Sequence, residues 1–259
     1  MKLGIYQIDA FANNVFEGNP AAVIALTEWL DDSLMQSIAA ENNLAETAFF
    51  VKEEAGFRIR WFTPAVEVDL CGHATLASAY VLYQKLGYQG ASLTFNSRSG
   101  PLTISQDAGR YVMDFPTQAC QACEVPNGLA EALDCEVNNC LNNEDYLVVL
   151  DTEQELLNLQ PDFSRLAELD LRGVIVTAPS LEYDFVSRFF APNVGVNEDP
   201  VTGSAFTKLI PYWAQRLGKD VLSAKQVSQR GGEVFCQMRG DRVLIAGSAV
   251  SYLQGCIEI

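Results

Sequence analysis

Short apolar runs recur along the whole chain, and their spacing predicts a protein built mostly of β-strands. The runs are rich in Val, Ile, Phe and Tyr, and turn signals such as Glu17-Gly18-Asn19-Pro20 and Asp107-Ala108-Gly109 separate them. Their close spacing favours antiparallel hairpins over a series of βαβ units. Strands are predicted at Leu3–Asp9, Ala48–Val51, Phe57–Phe62, Ser92–Asn96, Leu102–Ser105, Arg110–Phe115, Tyr146–Leu150, Val174–Ala178, Phe185–Phe190, Glu233–Met238 and Arg242–Ala246.

Three helices are predicted, and they are of two kinds. Asp32–Glu41 carries its apolar residues along one face, which is typical of a helix on the protein surface. Ala74–Leu86 and Ala205–Leu217 are apolar on nearly every face, which indicates burial. Pro211 lies inside the last helix and is expected to kink it, because proline removes a backbone donor.

The two buried helices belong to an internal repeat. Phe62–Gly87 and Phe190–Gly218 share the pattern F-x-P-x-V-x-V, and Gly72 aligns with Gly203 once a short insertion in the second copy is allowed. Two copies of one unit favour a site between them. The repeat predicts an α+β protein with two pseudo-symmetric domains, each a barrel-like, mostly antiparallel sheet around a central helix. We expect the domains at residues 1–116 and 117–250, with 251–259 as a tail that can return to the first domain.

Charge excludes several classes of protein. The 259 residues include 33 Asp and Glu against 17 Lys and Arg, a formal net charge of -16, and no basic stripe is visible. Nucleic acid and anionic membranes are therefore poor partners. The sequence shows no signal-peptide core near its start and no apolar run of membrane-spanning length, so a cytoplasmic location is expected.

The cysteines point to free thiols. Their number, seven, is odd, and a reducing compartment argues against a disulfide framework. A C-x2-C…C-x4-C cluster could hold zinc, but no histidine supports that site and a helix start is predicted inside it. We therefore expect no metal at this cluster. The cluster is Cys120, Cys123, Cys135 and Cys140, and its segment Cys120–Asn143 is expected to be exposed loop, as is Pro179–Asp184.

Candidate chemistry lies at the starts of the two buried helices. Each begins at a glycine turn, Gly72 in the first copy and Gly203 in the second. Free backbone N–H groups and the positive end of the helix dipole make such a start suitable for a carboxylate or an oxyanion. Because two equivalent turns occur, we expect them to hold an anionic substrate or an enolate-like intermediate together.

His73 is the only histidine and stands at the first of these starts. The helix dipole there favours a neutral imidazole that can exchange a proton near neutral pH, although a locally hydrogen-bonded histidine is the alternative. Its equivalent in the second copy is Ser204. Asp199 lies just ahead of the second helix, where an acidic residue also stabilises the dipole without any catalytic role.

Glu46 leads into an apolar strand. Partial burial would favour a protonated carboxyl and suit this residue to move a proton on carbon. A solvated glutamate at the entry of a strand is an equally good interpretation of the pattern alone.

Three motifs resemble the phenazine-biosynthesis PhzF-like proteins, and the early turn Phe16–Val23 also fits that family. The resemblance implies the diaminopimelate-epimerase-like fold with an active site in the cleft between two domains. The motifs occur in the family's order and are Asn43-Leu44-Ala45-Glu46-Thr47-Ala48-Phe49, Cys71-Gly72-His73-Ala74-Thr75-Leu76-Ala77 and Glu198-Asp199-Pro200-Val201-Thr202-Gly203-Ser204-Ala205.

The same resemblance implies a homodimeric isomerase without a cofactor, acting on a small carboxylate-bearing substrate. Glu46 would move the proton between carbons, and its catalytic partners would be His73, Asp199 and Ser204. The substrate-binding residues would be Asn19, Gly72, Thr202 and Gly203. Ala45 departs from the family, which often has serine there, so the substrate of the phenazine pathway enzyme is not assumed.

Two other functions stay open. Racemases of related architecture use two thiols, but Cys71 aligns with Thr202, whose hydroxyl is a very poor base. An amino-acid racemase or epimerase would therefore need another partner for Cys71. The second alternative is a non-catalytic small-molecule-binding module, which the joint presence of the four catalytic candidates disfavours.

Overall fold

The computed structural model describes residues 1–259 and divides them into two compact units. The N-terminal unit comprises Met1–Phe115 and Ile245–Ile259, and the C-terminal unit comprises Pro116–Leu244. Each unit contains a mixed sheet and few helices, so the predicted α+β class is confirmed. None of the helices is both long and apolar enough to cross a membrane.

The secondary structure consists of strands β1–β17, helices α1–α6 and one 3-10 turn. In chain order these are β1 (Lys2–Ala10), β2 (Asn19–Leu26), α1 (Asp32–Asn42), β3 (Glu46–Lys52), β4 (Phe57–Phe62), β5 (Glu67–Val68), α2 (Gly72–Gln84), β6 (Ser92–Ser97), β7 (Gly100–Asp107), β8 (Arg110–Pro116), β9 (Gln121–Ala122), α3 (Leu129–Leu133), β10 (Cys140–Asn142), β11 (Tyr146–Val149), α4 (Glu153–Asn158), α5 (Phe163–Leu166), β12 (Val174–Pro179), β13 (Phe185–Phe190), the 3-10 turn (Pro192–Val194), α6 (Gly203–Leu217), β14 (Val221–Gln226), β15 (Gly232–Arg239), β16 (Arg242–Gly247) and β17 (Ala249–Glu258).

The strand pairing repeats from one unit to the other. Strands β1-β2-β3-β4-β6-β7 are joined by antiparallel, parallel, antiparallel, parallel and antiparallel pairs. Strands β10-β11-β12-β13-β14-β15 follow the same series. The segment that connects the two strands of the second parallel pair contains α2 in one unit and α6 in the other. The sequence repeat is therefore a repeat of topology.

The repeat helices are buried, as their composition predicted. Helix α2 buries nine of its thirteen residues, and α6 buries the same number of fifteen. Both begin at the predicted glycines, Gly72 and Gly203. Helix α6 continues through Pro211 to Leu217, so this proline does not end it. Helix α1 buries only Met35, Ile38 and Ala39, as expected for a surface helix.

The segment Cys120–Asn143 is not an exposed loop, which corrects the sequence prediction. It contains β9, α3 and β10, and Leu129, Ala132 and Leu133 of α3 are fully buried in the core around Phe190. The helix start predicted inside this segment corresponds to α3, whereas β9 and β10 are too short for a hydrophobic period to appear in the sequence.

The last strand completes the N-terminal unit. Strand β17 pairs antiparallel with β1 from Lys2↔Glu258 to Ala10↔Ala249. The N–H of Ile259 donates to the carbonyl of Met1 at 2.8 Å, and the side chains of Lys2 and Glu258 form an ion pair at 3.2 Å. The two ends of the chain therefore lie side by side.

Candidate active site

The N-terminal unit gathers Asn19, Glu46, Cys71 and His73. Asn19 and Glu46 are the first residues of β2 and β3, which run parallel, so both lie at the same end of this strand pair. Cys71 is the N-cap residue of α2, and His73 lies in its first turn. Topology thus brings together three of the predicted site residues and the thiol of the alternative mechanism.

Gly18 fixes the approach of Asn19. Its φ of +64 lies in the left-handed region, and a Cβ atom added there would lie 2.1 Å from the carbonyl oxygen of Ala10. Only glycine fits such a position. The neighbouring Asn19 is consequently held against Ala10 in the β1–β2 register.

His73 is the centre of the group. Its Nε2 atom lies 3.1 Å from Oε2 of Glu46, and its Nδ1 atom lies 3.2 Å from Nδ2 of Asn19 and 3.5 Å from Sγ of Cys71. The side chain of His73 is 6% exposed and that of Glu46 is 18% exposed. The Nε2–Oε2 contact is close but not a well-aligned hydrogen bond, and both atoms are buried without another partner. Such unsatisfied buried groups are rare in proteins and call for an explanation.

Neighbouring groups set the charge of His73. Burial of the ring is the largest influence and opposes protonation, but Cys71 and Glu46 together raise the pKa of His73 well above its ordinary value. Burial, followed by the charge of Glu46, raises the pKa of Cys71 to about 11, so this thiol is neutral near pH 7.

This direction of the pKa runs against the expectation of a neutral ring. The helix N-terminus carries only a partial positive charge, whereas Glu46 is a full negative charge in contact with the ring. Asn19 can adapt to either state of His73, because an amide can present its nitrogen to a bare Nδ1 or its oxygen to a protonated one.

The group also offers metal-binding atom types. One ligand atom each from Glu46, Cys71 and His73 lie within 4.8 Å of one another, and zinc uses these three side chains. The two ring nitrogens face different partners, however: Nε2 contacts Glu46 and Nδ1 contacts Cys71. A single ion cannot use both nitrogens, so the geometry fits proton transfer better than coordination.

The predicted cysteine cluster lies in the C-terminal unit. All seven cysteines of the chain are free thiols. Cys123 and Cys140 lie on neighbouring strand ends with their sulfur atoms 3.7 Å apart. The four predicted members do not form a compact ligand group.

Asp199 and Thr202 form a second group at the start of α6, in the C-terminal unit. The hydroxyl of Thr202 donates to Oδ2 of Asp199 at 2.5 Å. Gln226, which is fully buried at the end of β14, donates to the carbonyl of Asp199 at 2.7 Å and to Thr202 Oγ1 at 3.2 Å. Its own amide oxygen accepts from the N–H of Thr202 at 2.9 Å. The loop before α6 is thus fixed by a residue that no sequence signal marked.

Ser204 lies half-buried in the first turn of α6 and has a partner that the sequence did not indicate. Its Oγ accepts a hydrogen bond from Nη2 of Arg172 at 3.1 Å. Arg172 in turn forms a bidentate pair with the fully buried Asp145, which also contacts Lys208. The one available signal was Lys208, a charged residue in a helix predicted to be buried, since a buried lysine needs an acidic partner.

This chain is similar to known proteins along nearly its whole length. The family of phenazine biosynthesis-like proteins (PhzC-PhzF) matches residues 8–255. A protein of Pseudomonas aeruginosa named as an uncharacterized isomerase is 54% identical over 259 residues, with 100% of both chains covered. A PhzF-family phenazine biosynthesis protein from Enterococcus faecalis has a crystal structure that matches with a TM-score of 0.98 at 46% identity, again over 100% of both chains.

A more distant match shows the fold alone. The crystal structure of a hydroxyproline epimerase from Agrobacterium vitis is 9% identical, with a TM-score of 0.64 over 99% of this chain and 92% of that one. The duplicated α+β topology is therefore shared with epimerases of this fold. The family match over nearly the whole chain, together with the close relatives, establishes that the chain belongs to the phenazine biosynthesis-like (PhzC-PhzF) protein family.

Proposed function

We propose that this protein is an isomerase that moves a proton between carbons of a small carboxylate-bearing metabolite, with Glu46 as the acid/base. The observation that carries the proposal is the Glu46–His73 contact, in which two buried titratable atoms 3.1 Å apart keep unused hydrogen-bonding capacity. Family membership and a P. aeruginosa relative named as an isomerase support the same class of reaction.

The chemistry follows from the charges of the pair. Glu46 in its carboxylate form takes a proton from a carbon beside an electron-withdrawing group, and the electron pair left behind forms an enolate-like intermediate. Glu46, now protonated, returns the proton to another carbon of the same molecule, so no co-reactant is required. Nε2 of His73 lies 3.1 Å from Oε2, so in the proposed reaction a small adjustment lets the ring hold that oxygen while the other carboxylate oxygen takes the proton.

The proposal assigns binding roles to residues of the C-terminal unit. Asp199 and Ser204 would hold polar groups of the substrate, and the N–H groups at Gly72 and Gly203 suit its carboxylate. Thr202 changes its expected role, because its hydroxyl and its N–H are both engaged with Asp199 and Gln226. We therefore propose that Thr202 supports Asp199 and does not bind the substrate itself.

Solvent-deuterium exchange tests the function before the substrate is identified. A panel of small carboxylic acids is incubated with the protein in D2O, and mass spectrometry detects deuterium on carbon. Glu46→Gln should reduce exchange roughly 100-fold or more, since general acid/base catalysis contributes at least that much. The matched control is Glu53→Gln, which changes an exposed glutamate just after the other end of β3.

The alternatives give different results in the same assay. An amino-acid racemase dependent on Cys71 would lose exchange in Cys71→Ala, whereas the proposed isomerase keeps most of it. An active Glu46→Gln variant would falsify the assigned acid/base. A wild-type protein that binds an acid of the panel without any exchange would identify a binding module instead.

A further inference from the structure

A network of polar contacts in the C-terminal unit includes the hydroxyl of Ser204. Asp145 directly precedes β11, and Arg172 lies two residues before the parallel strand β12, whose register with β11 is Tyr146↔Val174, so the two side chains start close to each other. The guanidinium of Arg172 donates from Nε and Nη2 to the two carboxylate oxygens of Asp145, at 2.8 and 2.6 Å. This is the bidentate geometry that orients an arginine most firmly.

Helix α6 contributes two residues to this network, Ser204 and Lys208. Lys208 lies one helical turn after Ser204, on the same face of the helix. Its Nζ atom is 3.1 Å from Oδ2 of Asp145 and 2.9 Å from Oε1 of Gln118, and both Lys208 and Asp145 have side chains that are 0% exposed. Asp145 therefore contacts α6 directly through Lys208 and indirectly through Arg172 and Ser204.

Packing leaves the guanidinium of Arg172 little freedom. The group lies 5.4 Å from the centroid of the Phe189 ring. At the next residue, Gly173, a Cβ atom would lie 2.7 Å from the carbonyl oxygen of Phe190 and 2.8 Å from the ring of Phe189. The backbone after Arg172 thus passes so close to β13 that only glycine fits, and this close approach fixes where the arginine begins.

The consequence for Ser204 comes from counting donors and acceptors. Arginine can only donate, so the contact of Nη2 with Ser204 occupies a lone pair of Oγ at 3.1 Å. The single hydroxyl hydrogen of Ser204 must then point to another acceptor. The charged groups of Asp145 and Lys208 are fully buried and therefore expensive to desolvate, and a network of this kind that ends on a proposed catalytic hydroxyl has a functional reason to be there.

We propose that Arg172 is a positioning residue that fixes the Ser204 hydroxyl as a hydrogen-bond donor toward a carboxylate or enolate oxygen of the substrate. Asp145 and Lys208 hold Arg172 in that position. This inference rests on the role proposed above for Ser204.

A double-mutant cycle on the rate of deuterium exchange tests the coupling. Arg172→Lys keeps a cation beside Asp145 but loses the guanidinium Nη2, which donates to both Asp145 and Ser204. We expect it to slow exchange roughly tenfold to 100-fold, as for a displaced catalytic group, with the loss mainly in kcat. If Arg172 acts through Ser204, adding Arg172→Lys to Ser204→Ala slows exchange no further, whereas independent effects multiply.

Arg60→Lys is the matched control. Arg60 forms the same bidentate pair with Glu67, at 2.7 and 2.8 Å, and lies 5.2 Å from the Phe62 ring, but it contacts none of the proposed site residues. Thermal melts of both lysine variants separate a general loss of stability from a loss of rate. An Arg172→Lys variant with wild-type exchange, or with a loss that multiplies with Ser204→Ala, overturns the proposal.

A second measurement needs no substrate. In Ser204→Cys the introduced thiol should lie beside the Arg172 guanidinium, which stabilises the thiolate, so its pKa should fall below the ordinary value of about 8.5. The pH dependence of alkylation by iodoacetamide, followed by mass spectrometry of the peptide that contains position 204, gives this pKa. Adding Arg172→Gln should raise it again.

The two measurements separate failure of the inference from failure of the function. If no acid of the panel exchanges deuterium, the proposed function fails. The contact between Arg172 and position 204 is then tested only by the pKa of the thiol in Ser204→Cys. A thiol pKa that is unchanged by Arg172→Gln overturns the inference whatever the exchange assay shows. A pKa raised by Arg172→Gln, together with a non-multiplying loss of exchange, supports it.

Discussion

A single histidine makes the charge state of the proposed site directly measurable. His73 is the only histidine of the chain, so the NMR signals of its ring need no assignment. We expect its titration midpoint to lie clearly above the ordinary value of about 6.5, because the neighbouring Cys71 and Glu46 together outweigh burial. Glu46→Gln should lower the midpoint, because it removes one of the two neighbours that raise the pKa of this ring.

The same raised pKa fixes the sign of a pH effect on stability. A group with a higher pKa in the folded chain than in the unfolded chain stabilises the fold fully below the unfolded pKa. That stabilisation is lost as the pH rises through the folded pKa. The free energy of unfolding gained from His73 should therefore decline above about pH 6.5, and Glu46→Gln should reduce the decline. A midpoint at or below the ordinary value would contradict the charge assigned to this ring.

For single residues, the sequence identifies the candidate site residues better than it predicts their protonation states. Glu46, His73 and Asp199 could be chosen from motifs, because a family resemblance marks residue types at given positions. The protonation of His73 could not, because it depends on a 3.1 Å contact with a strand distant in the sequence. Gln226 likewise has an ordinary sequence context, and only the β13–β14 pairing brings it to Asp199.

Helix α6 is held by the buried ion pair between Lys208 and Asp145. Loss of the aspartate should lower the free energy of unfolding more than loss of the lysine. Asp145→Asn removes the fully buried anion that pairs with both Lys208 and Arg172, and leaves the buried lysine with only the half-exposed Glu144, at 3.5 Å, as an acidic partner. We expect it to lower the free energy of unfolding by about 3–5 kcal/mol. Lys208→Met should destabilise less, because Asp145 keeps its bidentate partner. The double variant should be more stable than Asp145→Asn alone. Denaturant unfolding measures all three.

Lys219→Met provides the comparison for that series. Lys219 also pairs with an aspartate, Asp184, but its side chain is 47% exposed. Loss of such a surface pair should change the free energy of unfolding by less than about 1 kcal/mol. If Asp145→Asn were as mild as this control, the buried network would not hold α6 in place.

Among the helices, length decided how fully the sequence could reveal an element and its burial. Helices α1, α2 and α6 are long enough to show a period or an unbroken apolar composition, and their predicted spans agree with the structure to within a few residues. Elements β9, α3 and β10 are short, and their burial depends on partners such as Phe190 that lie far along the chain. No local pattern encodes such a contact.

For the whole molecule, the duplication was visible in the sequence, and the return of the end of the chain to the first domain was expected, but the strand it forms was not predicted. The shared motif F-x-P-x-V-x-V and the glycine turns identify two copies, and the strand pairing follows the same series in both units. The copies differ in the N-terminal unit, where β17 from the end of the chain joins β1. Strand β17 contains apolar residues such as Val250, Leu253 and Ile257, but they do not alternate regularly with polar ones, so no strand pattern marks it in the sequence.

The adjacency of the two chain ends predicts that the molecule tolerates circular permutation. The N–H of Ile259 donates to the carbonyl of Met1, and β1 and β17 are antiparallel, so a linker of about two to five residues should join them as a hairpin. New ends can be opened between Leu181 and Glu182, in an exposed turn between β12 and β13. Such sites tolerate cleavage because their backbone supports little structure.

This permutant should melt cooperatively within a few degrees of the wild type and keep its deuterium exchange, because every β1–β17 pair is retained. Circular dichroism and the exchange assay measure the two properties. The contrasting variant is a chain ended after Ser248, which removes β17, exposes an edge of β1 and should lose the cooperative transition. If the permutant failed to fold while this shortened chain melted like the wild type, β17 would contribute nothing to the N-terminal unit. The opposite result would show that the unit needs both ends of the chain and not their order.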